Sequence, residues 1–124
     1  MTAQRSHKTP PFWSLLTFGR DGAFTEATNN PTLAGARSPG HGFWTSTGQN
    51  TYNAVIEAFI YNDVLNTPIK AGTQKILQNI TMSDNNNWSE TGAEVKFFDT
   101  SGTNYLSACA NATATRLTGS DSEP

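Results

Sequence analysis

The stretch TYNAVIEAFIY, which runs from Thr51 to Tyr61, is the longest β-forming segment of this sequence. It contains no glycine or proline, and its β-branched and aromatic residues favour a strand over a short helix. A period of two divides it into two faces. One face carries Tyr52, Ala54, Ile56, Ala58 and Ile60, and the other carries Asn53, Val55, Glu57, Phe59 and Tyr61. Neither face is typical of solvated surface, so both indicate a buried environment.

Shorter strand-like runs, separated by turn signals, lie on both sides of this segment. They are Phe12–Phe18, Ala23–Thr28, Phe43–Thr47, Thr73–Met82, Trp88–Phe98 and Tyr105–Leu117. Two longer loops, 29–42 and 62–72, interrupt the series. The pattern predicts an all-β fold, an antiparallel up-and-down meander of about seven or eight strands. Closing such a meander into a small barrel would hide its edge strands.

The composition agrees with a single β domain. The 124 residues are one domain's worth of chain, and 18 Thr, 12 Asn and 10 Gly favour strands and turns. We expect one domain over 1–124, with an ordered part of about 10–118 and polar ends, 1–9 and 118–124, that fray. The net charge of −2 argues against a nucleic-acid partner. No apolar run approaches the ~18 residues of a membrane helix, which predicts a soluble protein with no membrane partner.

Cysteine and histidine usage limits the chemistry. Cys109 is the single cysteine, so no disulfide forms within the chain, and its neighbours Ala108 and Ala110 suggest an inert, buried thiol. Two histidines and one cysteine, widely separated, do not make a zinc site, and we expect no cofactor. The start of the chain lacks the apolar core of a signal peptide. This predicts a cytoplasmic protein if the N-terminus is native, and an exported one if a signal peptide was removed.

Glu57 and His41 are the candidate catalytic residues. If it were buried between Val55 and Phe59, the Glu57 carboxyl would have a raised pKa and would suit general acid or base work. The alternative is a glutamate that faces water or pairs with Lys75 or Arg116 across the sheet. His41 lies between two glycines, which leaves its ring accessible for proton transfer, although it would serve equally as a loop cap.

We expect aromatic residues of the central strands to line any ligand pocket. We expect its lining to include Trp44, Phe59, Glu57 and either Tyr52 or Tyr61. The choice between the tyrosines depends on which face of the 51–61 strand points inward, and the face with Glu57, Phe59 and Tyr61 is favoured. Arg37 would bind an anionic group through a bidentate contact, or else it is a solvent-facing loop residue.

The opposite face of the same strand predicts self-association. If Glu57 points inward, then Tyr52, Ile56 and Ile60 form an apolar stripe on the outside, with Ala54 and Ala58 between them. A stripe of this kind needs a cover, either a long loop or a second subunit. We expect a homo-oligomer, most simply a two-fold dimer. An unpaired barrel edge would offer a second route to association.

The segment Gly42-Phe43-Trp44 resembles the G-x-W motif of lipocalins. In that family the tryptophan packs near an arginine of the closing strand, and Arg116 would be its partner here. Residues 12–117 resemble small bacterial β-barrel proteins of calycin-like architecture, which have no assigned activity. The segments that carry this resemblance are Leu16-Thr17-Phe18 with Gly22, 37–44, 71–75 and 109–116. It implies a barrel with an extra first strand, so 1–9 either pairs irregularly or leaves one edge open.

Three functions are consistent with these residues. The first is non-catalytic binding of a small apolar or amphipathic molecule in the barrel cavity. The second is a barrel enzyme, an isomerase, cyclase or lyase, with Glu57 as base and His41 or a tyrosine as electrophile. The third is a structural or assembly protein whose barrel is filled by side chains. Binding is the function that we expect.

Overall fold

A computed structural model describes residues 2–6, 12–33 and 35–117, and nearly all of their regular structure is β-strand. The strands are β1 (Thr2–Ser6), β2 (Phe12–Phe18), β3 (Ala23–Thr28), β4 (Gly40–Gly48), β5 (Thr51–Ile60), β6 (Gly72–Met82), β7 (Asn87–Asp99) and β8 (Asn104–Thr115). Within this part of the chain a 3₁₀ turn at Pro31–Leu33 is the one helical element. The described residues contain no helix of the length and apolarity needed to cross a membrane. The all-β prediction is confirmed.

Strands β2 to β8 form one antiparallel meander, each pairing with the next, and the sheet curls into an open half-barrel. The short strand β1 makes backbone pairs with both edges of this sheet. Thr2–Arg5 pair with Phe12–Leu15 of β2, and Thr2–Ser6 pair with Asn111–Thr115 of β8. The expected ordered range of about 10–118 stays a prediction. The expected fraying of 118–124 lies outside the described residues.

The strand bounds agree with the predicted ones to within about two residues, except at β4. This strand begins at Gly40, three residues earlier than expected, so the glycines that flank His41 belong to a strand and not to a loop. A Cβ atom on Gly42 would overlap the carbonyl oxygen of Val55. Glycine here allows β4 to approach the backbone of β5 closely.

The inward face of β5 is the opposite of the predicted one. Ala54, Ile56, Ala58 and Ile60 are buried, whereas Phe59 and Tyr61 are 62% and 58% exposed. The reason lies in the register with the neighbouring strands. Ile56 lies between Gly42 and Ile76, but Glu57 lies between His41 and Lys75. Turning the Glu57 face inward would bury a row of polar and charged groups, which is costly.

The core is one cluster of side chains from β2 to β8, with Phe24 and Ile56 as its most buried large members. On β8, the buried residues Ala110, Ala112 and Ala114 leave room for bulky side chains of facing strands, and Ala114 pairs with Trp88. Ile56 and Ile60, which belong to the stripe proposed for dimer contact, are part of this core. The stripe is therefore not on the outer surface, and the predicted dimer is no longer supported by it.

Candidate functional site

An aromatic cavity of about 240 Å³ opens at the end of the sheet where β6 and β8 finish. Its walls come from the end of β2, the middle of β4, the start of β5, the end of β6 and the start of β7. The lining residues are Phe18, Trp44, Tyr52, Ile80, Met82, Trp88 and Arg116. We call this space the aromatic cavity. Its lining is dominated by large apolar side chains, as ligand sites in proteins commonly are.

Contacts among the lining side chains, and between them and residues behind them, hold the aromatic walls in place. The Trp44 indole N–H donates to the carbonyl oxygen of Gly19 at 2.8 Å, which fixes the ring. The Trp44 ring meets Phe18 and Tyr52 edge to face, with centroid distances of 6.4 and 5.7 Å. Phe18 in turn stacks on Phe24 at 4.4 Å. These geometries are the ones that aromatic pairs prefer, so the walls are preorganised before any ligand arrives.

Two polar side chains line the aromatic cavity with unused hydrogen-bonding capacity. Within the described part of the chain, the Tyr52 hydroxyl has no hydrogen-bond partner and no carboxylate lies at ion-pair distance from the Arg116 guanidinium. The Arg116 backbone N–H donates to Asn86 at 2.7 Å, which ties the residue to the turn between β6 and β7. Because Arg116 is exposed as well as cavity-lining, it lies at the opening.

A second cavity, of about 290 Å³, lies at the opposite end of the sheet. Its lining includes Phe12, Leu33, Ile69, Phe97 and Leu106. It lies beside the first half of β8, where the described strand pairs are with β7 alone. The second cavity is also largely apolar, but it lacks the cluster of stacked rings that shapes the first one.

A buried ion pair lies near the second cavity and accounts for Arg37. The Arg37 guanidinium donates to Glu26 at 2.7 Å, and both side chains are only 3% exposed. It also donates to the side chain of Gln74, which lines the second cavity, and to the carbonyl oxygen of Ser38. Arg37 was expected either to bind an anionic ligand or to face solvent. It is buried instead, and its charge is already paired within the protein.

Buried carboxylates are a feature that the sequence reasoning missed. Glu26 and Glu90 are 4% and 3% exposed, and Glu90 accepts a hydrogen bond of 3.0 Å from Gln78. The signal was present in the strand alternation, because Glu26 shares a face with Phe24 and Glu90 shares one with Trp88. Since glutamate is rarely buried, alternation alone does not outweigh the expectation of an exposed side chain.

The two candidate catalytic residues are neighbours, but on the outer face of the sheet. His41 and Glu57 are directly opposite each other on β4 and β5, and both are exposed. The Glu57 carboxylate lies 3.9 Å from Lys75 Nζ, and its side chain is 62% exposed. The prediction of a buried Glu57 that lines a pocket is therefore wrong. The alternative, a glutamate paired with Lys75 across the sheet, is the arrangement that the structure shows.

The structure divides the aromatic residues that were predicted to line a pocket. Trp44 and Tyr52 line the aromatic cavity, whereas Phe59 and Tyr61 contact each other on the outside with ring centroids 6.5 Å apart. Phe18, Ile80, Met82, Trp88 and Arg116 complete the lining and were not predicted as ligand contacts. Cys109 is exposed, so the expectation of a buried thiol is also wrong.

Two aspartates owe their lowered pKa values to turn geometry and not to a binding site. Asp84 accepts the backbone N–H of Asn86 and the side-chain amide of Asn87, and these bonds lower the pKa of its carboxyl. The pKa of Asp99 is lowered by the Ser101 hydroxyl and then by the Thr103 N–H. Both carboxylates stabilise tight turns. Among the described residues, no group of three or more His, Cys, Asp or Glu is placed to hold a metal ion.

Comparison of the chain with known protein families, with curated proteins and with solved structures gives no match. The protein is a curled antiparallel β-sheet with an aromatic cavity at one end. Because a fold alone does not determine a function, the function is inferred from this cavity.

Proposed function

We propose that the protein binds a small apolar or amphipathic molecule in the aromatic cavity, without catalysis. The observation that carries the proposal is an open cavity of about 240 Å³ in which Phe18, Trp44 and Tyr52 are fixed by contacts of their own. A preorganised site loses little conformational freedom when its ligand binds. Such an arrangement favours binding over a purely structural role, which has no need of an open cavity at one end of a packed core.

The size of the cavity limits the ligand. It exceeds the roughly 150 Å³ of an apolar cavity that holds benzene, and it is smaller than the roughly 300–1,000 Å³ of sites for drug-sized molecules. A single substituted ring, or an apolar group of similar volume, fits between these limits. The lining contains no carboxylate or histidine among the described residues, so the base that an enzyme would need is not found there.

Toluene and indole are suitable neutral probes, with binding measured by ligand-observed saturation-transfer NMR. The test variant is Met82→Trp, which places an indole at the cavity, and the matched control is Thr81→Trp. Thr81 is the preceding residue on β6 and is exposed, so its side chain projects from the other face. We expect saturation transfer to the native protein and to the Thr81 variant, and its loss in the Met82 variant.

Equal binding by the two variants would place the probe elsewhere and contradict the proposed site. Absence of binding to the native protein at millimolar probe concentration would contradict the proposed function itself. Circular dichroism of both variants establishes that each one keeps its β structure.

We also propose that β1 closes the half-barrel, which would give the chain the calycin-like architecture suggested by its G-x-W segment. The support is that β1 pairs with β2 on one side and with β8 on the other. In addition, Trp44 and Arg116 line the same cavity, as the resemblance to lipocalins implies.

Amide hydrogen exchange tests the closure. In the intact chain we expect slow exchange for those amides of 111–115 that face β1, because the strand pair protects them from water. Deletion of residues 2–6 should make these amides exchange rapidly. The amides of β8 that face β7 are the internal control and should stay protected. Rapid exchange of the β1-facing amides in the intact chain would mean that the barrel stays open.

A further inference from the structure

Given the proposed function, we infer that the ligand class is an aromatic carboxylate, one ring with a single negative charge, whose carboxylate pairs with Arg116 and whose ring enters the aromatic cavity. The charges in the cavity lining are the first reason. Arg116 is the one charged side chain among the described lining residues, and the remaining side chains are apolar apart from the Tyr52 hydroxyl. A carboxylate on the ligand would pair with this charge, whereas a neutral ligand would leave it to solvent.

The buried carboxylate of β7, Glu90, is not among the residues that line the aromatic cavity. Glu90 faces the interior two residues beyond Trp88, where it accepts a hydrogen bond from Gln78, and it does not line the aromatic cavity. The other internal carboxylate, Glu26, is paired with Arg37 near the opposite end of the sheet. Glu26 and Glu90 thus each have a contact of their own, and among the described residues no carboxylate lies at ion-pair distance from Arg116.

The donor geometry of Arg116 suits a planar carboxylate at the opening of the aromatic cavity. A guanidinium presents parallel N–H groups that match the two oxygens of a carboxylate, and it remains charged at every physiological pH. The Tyr52 hydroxyl supplies a further donor on the cavity wall. The Trp44 indole N–H does not compete, because it already donates to Gly19. The exposed position of Arg116 keeps the charged group near water, which limits the desolvation penalty of the pair.

The size and shape of the cavity select the rest of the molecule. Phe18, Trp44 and Trp88 all line the space, and an aromatic lining suits a flat aromatic body. With about 240 Å³ available, one ring with a short substituent fits. Benzoate is the simplest member of this class, with benzamide as its neutral analogue and benzylamine as its cationic one.

The experiment compares these three probes by tryptophan emission in a Trp13→Phe background. Trp13 is exposed on β2, so its removal leaves Trp44 and Trp88, both in the cavity lining, as reporters. We expect benzoate to bind about tenfold more tightly than benzamide, since a hydrogen bond to a charged group contributes that much. Benzylamine should bind more weakly than either, and added salt should reduce the advantage of benzoate.

Variants of Arg116 test the assignment. Arg116→Gln should equalise the affinities for benzoate and benzamide, and Arg116→Lys should restore part of the difference because it keeps the charge but not the planar fork. Arg20→Gln is the matched control, since Arg20 is exposed in the turn between β2 and β3 and its loss changes the net charge equally.

Each outcome supports or overturns a separate statement. Equal affinity for benzoate and benzamide in the unaltered background, or an unchanged preference in Arg116→Gln, would overturn the carboxylate class and leave binding of apolar molecules intact. An equal loss in Arg20→Gln would show a general effect of net charge and would also overturn the class. Failure of all three probes, together with toluene and indole, would overturn the proposed function itself.

Discussion

At the scale of single residues, the pair formed by Glu26 and Arg37 has the strongest consequence for stability. Both side chains are 97% shielded from solvent and their charged atoms lie 2.7 Å apart. Gly40 makes room for the pair, because a Cβ atom there would overlap Ile56 and press against the Glu26 carboxylate. Removing one partner of a buried pair leaves the other charge uncompensated, which costs far more than the pair itself contributes.

We therefore predict that Glu26→Gln lowers the free energy of unfolding by about 3–5 kcal/mol. Urea denaturation followed by circular dichroism measures the change. Glu57→Gln is the matched control. It removes the same charge from an exposed glutamate 3.9 Å from Lys75, and it should change stability by about 1 kcal/mol or less. A loss below about 1 kcal/mol in Glu26→Gln would mean that the pair is not desolvated.

The two glutamates also show why the sequence predicted the wrong one to be buried. Glu57 is surrounded by apolar residues in sequence, but its neighbours in space are His41 and Lys75 on adjacent strands. The environment of a strand residue depends on cross-strand partners, and those follow from a register that one strand does not reveal. Choosing Lys75 as the partner of Glu57 requires knowledge of the register between β5 and β6, and the sequence alone does not determine that register.

At the scale of elements, β8 shows how the sheet accommodates large side chains on one face. Its inward residues Ala110, Ala112 and Ala114 are small and buried. On the neighbouring strand β7, Trp88 pairs with Ala114 and Glu90 pairs with Ala112. Alternating small and large residues fill the interior of a curved sheet without overlap.

Ala112→Leu should therefore destabilise the fold by about 1–3 kcal/mol, because the larger side chain meets a packed interior. Thr113→Leu adds a leucine to the exposed face of the same strand and should change stability by about 0.5 kcal/mol or less. Thermal unfolding of both variants provides the measurement. If Ala112→Leu were as stable as Thr113→Leu, the interior next to Ala112 would not be packed.

Most strand bounds were predictable from sequence, because turns and strands are specified locally. Gly, Asn, Asp and Pro mark the turns, and all seven strands predicted from their spacing are present. The orientation of β5 was not predictable in the same way, since both of its faces are largely apolar. The predicted pocket was wrong for the same reason, because Phe59 and Tyr61 were expected to point inward. Trp88 and Met82, which are far from Trp44 in the sequence, were not expected to line the same cavity. Only the curvature of the sheet brings those side chains together.

At the scale of the whole molecule, one core cluster connects β2 to β8, which is what a single domain requires. We predict that the chain unfolds in one cooperative step. Far-UV circular dichroism reports on the entire sheet, and tryptophan emission reports mainly on the cavity end. The two probes should give the same urea midpoint. Separate midpoints would mean that the cavity end unfolds independently and that the one-domain prediction fails.

Self-association stays a prediction, but its surface must differ from the one proposed from sequence. Ile56 is fully buried, so Ile56→Lys would disrupt the core and would not report on a dimer contact. Exposed apolar side chains are present elsewhere, with Trp13 and Leu15 on β2 and Phe43 on β4. Light scattering of the unaltered protein at micromolar concentration is the measurement that decides between a dimer and a monomer.

The buried pair of Glu26 and Arg37 also restricts how this sequence can diverge in evolution. The two positions are eleven residues apart in the chain, so separate mutations must alter them. A mutation at either one alone would remove a large part of the ~5–15 kcal/mol by which a domain of this kind is stable. Selection should then reject each single change while accepting a joint replacement by apolar residues of similar volume. In diverging descendants, the two positions are therefore expected to mutate together or not at all.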